Sequence, residues 1–169
     1  MNKQIVSWTE FQGLVAKICR IISTNDWKPD YVVGITRGGL LPAVMISHYF
    51  DVPCETLKVS LRDHGGENPT ESNLWMAEDA YNGKNILIVD DINDTGATIN
   101  WIINDWPSGR SPDVAAKWQS IWNGNVKFAT IFDNLASKAN VSMDFVGQEI
   151  NKAEKDVWID FPFEDWWTK

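Results

Sequence analysis

Two stretches of this chain concentrate the residue types that can handle a phosphorylated, hydroxyl-rich ligand. The first is the thirteen-residue string Ile86-Leu87-Ile88-Val89-Asp90-Asp91-Ile92-Asn93-Asp94-Thr95-Gly96-Ala97-Thr98. An apolar run ends in two acids and then in a small, hydroxyl-bearing turn able to open a helix. Thr95, Gly96, Ala97 and Thr98 can present successive backbone N–H groups and two hydroxyls at a helix N-terminus, and Gly96 permits close backbone approach, so a phosphate monoester would be well held there. Asp90 and Asp91 repel phosphate. They suit what lies beside one: sugar hydroxyls, for which a carboxylate is an acceptor, or a hard cation such as Mg²⁺ bound through oxygen. An isolated Asp-Asp pair is more often an exposed turn before an ordinary capped helix, so the weight falls on the string as a whole.

The second stretch, Gly34-Ile35-Thr36-Arg37-Gly38-Gly39-Leu40-Leu41-Pro42, supplies the positive charge that the first lacks. Arg37, with the N–H groups of Gly38 and Gly39 at a helix start, could stabilise charge growing on a polyanionic leaving group. Alone, a double glycine between strand and helix is as often a packing connector.

The thirteen-residue string closely resembles the phosphoribosyl pyrophosphate signature of the type I phosphoribosyltransferases: an apolar strand, two acids, three variable residues, then Thr-Gly-any-Thr. The resemblance implies that Asp90 and Asp91 hold the ribose 2′- and 3′-hydroxyls, that Asp91 is the metal ligand for Mg²⁺, and that Thr95 to Thr98 cradle the 5′-phosphate. It implies that Asp94 faces the base as the catalytic group, taking or hydrogen-bonding a proton near N7. The loop of Thr36, Arg37, Gly38 and Gly39 would bind pyrophosphate. Members of this family often carry a non-proline cis peptide there, and Thr36-Arg37 is the candidate.

The likeness narrows to the bacterial xanthine-guanine phosphoribosyltransferases. Ile5-Val6-Ser7-Trp8, Trp27, the Thr36-to-Pro42 loop, Asp63-His64, Ala129-Thr130-Ile131-Phe132 and Trp158-Ile159-Asp160 occur in matching order, over nearly the whole chain except residues 104–124. By that resemblance Trp158 stacks on the purine and the backbone of Ile159 reads its edge. The implied activity is Mg²⁺-dependent transfer of the phosphoribosyl group from phosphoribosyl pyrophosphate to guanine, xanthine or hypoxanthine, by a homodimer or homotetramer. A transferase for another base, and a phosphoribosyl pyrophosphate or nucleotide sensor without transfer, are the alternatives. Three departures bear on them. The lysine that in the family contacts the purine 6-oxo group is replaced at the aligned position by Asn134, with Lys138 four residues on; the mobile-loop Ser-Tyr pair corresponds to Leu61-Arg62, and a later substrate-contacting arginine to Asn68. The third is the inserted segment itself.

These residues need elements to hold them. Phe11, Leu14, Val15, Ile18, Ile21 and Ile22 recur at helical spacing after Ser7 and Thr9, either of which can cap, predicting a helix over 8–23. Tyr31 to Ile35 reads as a strand, with a helix following through Leu41, Val44, Met45 and His48. Thr56 to Ser60 reads as another strand, and Arg62 to Asn73 as a mobile polar loop, covering the site as a segment over 62–75. Ile86 to Val89 is the clearest buried strand, with a helix beginning over Ala97 to Ile103. Lys127 to Phe132 supplies a further strand, and Asp144 to Gly147 and Val157 to Ile159 add short ones. Trp118, Ile121 and Trp122 share a helical face within 104–124, a stretch that reads as an excursion from the core. The sum is an α/β fold with a parallel sheet flanked by helices. The family adds a small hood formed by the terminal segments.

Composition bounds the rest. The 169 residues, 44% of them apolar, suit a single domain over 1–169. A formal charge of −8 argues against a nucleic-acid partner. Cys19 and Cys54 have neither disulfide-framework nor metal-ligand spacing, and Cys19 reads as core; His48 and His64 form no metal cluster. No basic-then-apolar leader and no run long enough to span a membrane are visible, so the expected location is cytoplasmic. Ten tryptophans are a heavy load for this length, and some are expected at a subunit interface.

Overall fold

A computed structural model of the chain describes residues 2–59, 61, 74–108 and 112–169. Ser7 opens the first helix, α1 (Trp8–Ser23), with a capping box: its hydroxyl accepts from the Glu10 N–H at 3.1 Å, and the Glu10 carboxylate accepts from the Ser7 N–H at 2.9 Å. The apolar stripe thus anchored buries Phe11, Val15, Ile18, Cys19 and Ile22. Around it the order is β1 (Asn2–Ile5), α1, β2 (Tyr31–Ile35), α2 (Leu40–Phe50), β3 (Cys54–Leu57), α3 (Leu74–Tyr81), β4 (Ile86–Asn93), α4 (Ala97–Asp105), α5 (Pro112–Ile121), β5 (Val126–Asn134), β6 (Phe145–Ile150) and β7 (Val157–Asp160).

The main sheet runs β3-β2-β4-β5-β6, every pair parallel. Alternation along the strands sorts the core into two halves. Val32, Leu87 and Ala129 pack with α1 and α2, while Val33, Ile88 and Phe128 pack with residues of α3, α4 and α5. The terminal segments form the expected hood: β1 and β7 pair in parallel from Asn2 opposite Val157 to Ile5 opposite Asp160. Phe161, just past β7, meets Phe132 on β5 with ring centroids 5.7 Å apart, so the hood is fastened near the carboxyl end of the sheet.

Four boundaries differ from the sequence reading. β3 begins at Cys54 and ends at Leu57, because its register with β2 runs from Val32–Cys54 to Ile35–Leu57. β4 continues through both acids to Asn93, held by β5 through Asp90–Thr130 and Ile92–Phe132 after its pairing with β2 ends at Gly34–Val89. Leu74 and Trp75, expected in the covering loop, start α3, whereas the rest of that loop, with Arg62, Asp63, His64 and Asn68, lies outside the described residues. Within 104–124, expected as an excursion, described residues on both sides of 109–111 reach into the core. Trp106, Trp118 and Ile121 are buried, and Trp122 bridges Trp106, Trp118 and Phe128 at centroid distances of 5.8, 5.2 and 6.0 Å. Trp118 and Ile121 of α5 join the same core half as Val33, Ile88 and Phe128, so Trp106 and Trp118 are buried within the subunit.

Candidate functional site

In an open parallel sheet a ligand crevice forms where neighbouring connections leave in opposite directions. Here β2 continues outward to β3, and the chain returns on the other side of β2 as β4, so the switch falls between β2 and β4. The loops after these two strands carry the two motifs.

Past Val89, β4 pairs with β5 alone, and Asp90 and Asp91 sit half-buried on that extension. Asp90 Oδ1 accepts from the Asp91 N–H at 2.9 Å, and Asp91 Oδ1 from the Ile92 N–H at 2.8 Å. Burial pushes the Asp90 carboxyl well above the usual range, with the neighbouring Asp91 charge adding to it. Burial also raises Asp91, against the hydrogen bonds that favour its charged form.

The β2–α2 loop meets them. Its Thr36–Arg37 peptide is cis, as expected from the resemblance. A Cβ placed on Gly39 would lie 2.3 Å from the Val89 carbonyl oxygen, and one on Gly38 would lie 2.0 Å from Asp91 Oδ2. Arg37, Gly38 and Asp91 line one cavity of about 670 Å³ with residues 163–167 of the C-terminal segment. One expectation is corrected: the Gly39 N–H donates to the Ile35 carbonyl at 2.8 Å, closing the turn, and is therefore not available to an anion. Glu164 in the same cavity was not singled out from sequence. Burial raises its carboxyl, and the Asp91 charge raises it further, which locates the C-terminal segment against the acid pair.

The β4–α4 turn is braced from behind. Gly96 has φ 89°, and a Cβ there would fall 2.2 Å from the Ala139 nitrogen. The Lys138 N–H donates to the Thr95 carbonyl at 2.9 Å, the Asn100 amide donates to the Lys138 carbonyl at 2.9 Å, and the Asn140 N–H donates to Asn100 Oδ1 at 2.7 Å. The Thr95 hydroxyl accepts from the Ala97 N–H at 3.2 Å and keeps its own proton to donate. Residues 90–99, from Asp90 through Thr95, Gly96, Ala97 and Thr98 to Ile99, line a second cavity of about 240 Å³.

Among known families, the phosphoribosyl transferase domain matches residues 1–164. The chain belongs to that family. Solved structures agree in fold. A purine phosphoribosyltransferase from Pyrococcus horikoshii superposes with TM-score 0.64 at 23% identity, covering 97% of this chain and 95% of that one. A xanthine-guanine-hypoxanthine phosphoribosyltransferase from Helicobacter pylori gives 0.60 at 16% identity, covering 99% and 97%. A Neisseria gonorrhoeae protein solved with bound ppGpp gives 0.61 at 17% identity, covering 97% and 91%. The architecture is that of the type I phosphoribosyltransferases.

The remaining expected residues of this phosphoribosyltransferase domain lie on β7, at the end of β5 and in the segment after β5. On β7, Trp158 is 47% exposed while Ile159 turns into the core at 5%. Trp158 is thus a surface residue of β7 and not a core tryptophan. Asn134, at the end of β5, is buried and fully engaged. Its Nδ2 donates to the Asp94 carbonyl at 2.9 Å, while its Oδ1 accepts from the Ala136 N–H at 3.2 Å and the Lys152 N–H at 3.0 Å. Lys138 is exposed and joins the turn through its backbone. The ammonium paired with Asp94 instead belongs to Lys152, at 3.0 Å. Nothing in the local pattern around Lys152 flags it; it lies in the connection from β6 to β7, and only the fold brings it to Asp94.

Among the described residues no group of three or more His, Cys, Asp or Glu side chains could hold a metal ion. Asp91, with Asp90 beside it, offers carboxylate oxygens to a cation that takes most of its ligands from substrate and water, the habit of Mg²⁺ at phosphorylated substrates. The donor set fits. No helix of the described residues is long and apolar enough to cross a membrane.

Proposed function

We propose that the protein is a purine phosphoribosyltransferase, transferring the 5-phosphoribosyl group of phosphoribosyl pyrophosphate to a 6-oxopurine and releasing pyrophosphate. The observation that carries the reading is the contact of Gly38 with Asp91, which joins the arginine loop and the acid pair in one cavity beside the Thr95-to-Thr98 turn. A donor with phosphate at one end of a sugar and pyrophosphate at the other asks for that order of groups.

In this reading the 5′-phosphate sits on the Thr95–Thr98 turn, and Asp90 and Asp91 accept hydrogen bonds from the ribose hydroxyls. Arg37 lies where negative charge grows as the C1′–oxygen bond breaks and its electrons leave with pyrophosphate. A ring nitrogen of the base forms the new bond to C1′, and Asp94 accepts a hydrogen bond or the proton from the base edge. Trp158 supplies the face on which the base lies. Bound Mg²⁺, held through Asp91, would neutralise charge on the pyrophosphate.

The test is a spectrophotometric assay with phosphoribosyl pyrophosphate and Mg²⁺ against guanine, xanthine, hypoxanthine, adenine, uracil and orotate, with a metal-free control. Metal-dependent conversion of a 6-oxopurine is expected. Consumption of none of these bases, with phosphoribosyl pyrophosphate still bound, would replace transfer by sensing.

A further inference from the structure

The cavity lined by Arg37, Gly38 and Asp91 has a second wall, built by the segment after β7. That segment first packs down through Phe161, which is 1% exposed, and Phe163, whose ring stacks on that of Phe161 at 5.3 Å and meets Phe11 edge-on at 5.6 Å. Beyond Phe163 the packing stops. Trp166 and Trp167 are 65% and 69% exposed, and their rings meet each other at 6.2 Å. Among the described residues the hydrogen bonds of 164–168 stay inside the segment. The Glu164 N–H donates to the Phe161 carbonyl at 3.1 Å, and the Thr168 N–H and hydroxyl donate to the Asp165 carbonyl at 2.9 and 2.8 Å. Asp165 turns at φ 43°, in the left-handed region that a residue with a side chain adopts at a cost. The segment's own backbone therefore does not favour the place it takes.

Lys169 closes this loop. Its ammonium donates to Asp160 Oδ1 at 2.8 Å and to the Phe161 carbonyl, the two residues at which the segment leaves the hood. The point it grips is rigid: Asp160 pairs with Ile5 at the end of the β1–β7 register, and its carbonyl accepts from the Val6 N–H at 2.9 Å. The two side chains are 28% and 15% exposed, so these charge-assisted bonds are partly shielded from water. A loop joined to its own start has far fewer conformations than an open one. What the closure holds in place is Glu164, Asp165, Trp166 and Trp167, which line the cavity of about 670 Å³ together with Arg37, Gly38 and Asp91. Trp158, on β7 before the loop, is not part of that lining.

Resting on the reading of the protein as a phosphoribosyltransferase, we infer that Lys169 is a positioning residue for the leaving-group end of the site: by clasping Asp160 it holds the 164–167 wall over the cavity of Arg37, so that pyrophosphate is enclosed and water is kept from C1′. With the clasp undone, water attacking C1′ in place of the base gives ribose 5-phosphate and pyrophosphate, the side reaction that a closed site suppresses.

The test compares wild type with Lys169→Met, Lys169→Arg, Asp160→Asn and the Lys169→Met/Asp160→Asn double variant. In calorimetric titration with pyrophosphate and Mg²⁺, Lys169→Met should bind about tenfold more weakly, on the scale of a lost hydrogen bond to a charged group. Lys169→Arg should recover most of the loss, and the double variant should bind no more weakly than Lys169→Met, because both changes undo one contact. Asp160→Asn removes only the charge and reads the same loss if Lys169→Met does not fold. In turnover, KM for phosphoribosyl pyrophosphate should rise while KM for the base stays within about twofold. The ratio of ribose 5-phosphate released to base transferred should rise severalfold. A folded Lys169→Met protein with unchanged pyrophosphate affinity and unchanged hydrolysis would overturn the inference while leaving the transferase reading intact. Parallel rises in both KM values with a lower melting temperature would overturn it too, reducing Lys169 to general stability. A wild type that transfers to no base, yet loses pyrophosphate affinity on Lys169→Met, would overturn the transferase reading and keep the clasp. Binding of neither pyrophosphate nor phosphoribosyl pyrophosphate by wild type would overturn both.

Discussion

Gly38 and Asp91 are packed so closely that a single methyl group on Gly38 would sit 2.0 Å from Asp91 Oδ2. Residues 53 positions apart therefore share one van der Waals surface, and a side chain at position 38 has room only if Asp91 or the β2–α2 loop shifts. Gly38→Ala must displace either the carboxylate or the loop. We expect it to keep the fold, as read by circular dichroism, and to lose roughly 100-fold in kcat/KM, the scale at which misplacement by about 1 Å acts. Near-wild-type turnover in Gly38→Ala would mean that Asp91 is free to move without consequence.

Asp90 predicts an opposition between stability and function. Its carboxyl is raised in the folded protein, mainly by burial and next by the Asp91 charge. A carboxyl raised on folding contributes stability that is fully present below its unfolded value, about 4, and that is lost as pH climbs through the folded value. At neutral pH, without metal or substrate, the pair is consequently a burden. Asp90→Asn should raise the melting temperature at pH 7.5 in chelator by roughly 2–5 °C. The gap should close at pH 4, while turnover falls at every pH. A variant that melts lower than wild type at pH 7.5 would show that the Asp90 charge is satisfied within the apo fold.

Asn134 connects three backbones, at Asp94, Ala136 and Lys152. Truncating it leaves buried N–H and carbonyl groups without partners, at about 1–3 kcal/mol. Asn134→Ala should lower the urea midpoint accordingly and, because it loosens both Asp94 and Lys152, raise KM for the base more than KM for phosphoribosyl pyrophosphate. Equal effects on the two constants would reduce Asn134 to general stability.

What sequence could show follows from which signals are local. The β4–α4 string is continuous, so its strand, acids and turn were all readable, and so was the cis peptide position through the family's loop. β1 was not, because Asn2-Lys3-Gln4-Ile5 carries no strand pattern and is a strand only through its register with β7. α3 was hidden by the polar stretch before it. Within 104–124, Trp118, Ile121 and Trp122 were expected on an excursion because prolines and glycines dominate the stretch, yet Trp118 and Ile121 are buried in the core with Trp122 packed against them. Lys152 was invisible for the same reason in reverse: its partner is 58 residues away and nothing beside it in sequence announces the pairing.

Cysteine reactivity gives a test of the packing alone. Cys19 lies buried on α1, and burial pushes its thiol up to about 11, only partly offset by Arg20. Since the thiolate is the reactive form, Cys19 should resist alkylation at pH 8 in the native protein and react fully in denaturant. Mass spectrometry of iodoacetamide-treated protein reads this directly, and rapid native labelling of Cys19 would show that α1 opens easily from the sheet.

Two tryptophans separate the site from the scaffold. Trp118 is 2% exposed within the cluster of Trp106, Trp122 and Phe128, whereas Trp158 is 47% exposed on the outer side of β7. Trp118→Ala leaves a large cavity and should destabilise by about 3–5 kcal/mol, with kinetic constants near wild type at temperatures where it remains folded. Trp158→Ala removes surface that water already half covers, so it should melt within about 2 °C of wild type. It should instead lose base affinity: a stacked ring of this kind contributes roughly 1–3 kcal/mol, which predicts a tenfold-scale rise in KM for the purine without a matching rise for phosphoribosyl pyrophosphate. If Trp158→Ala loses stability and keeps its base KM, the exposed ring serves the hood and the base lies elsewhere.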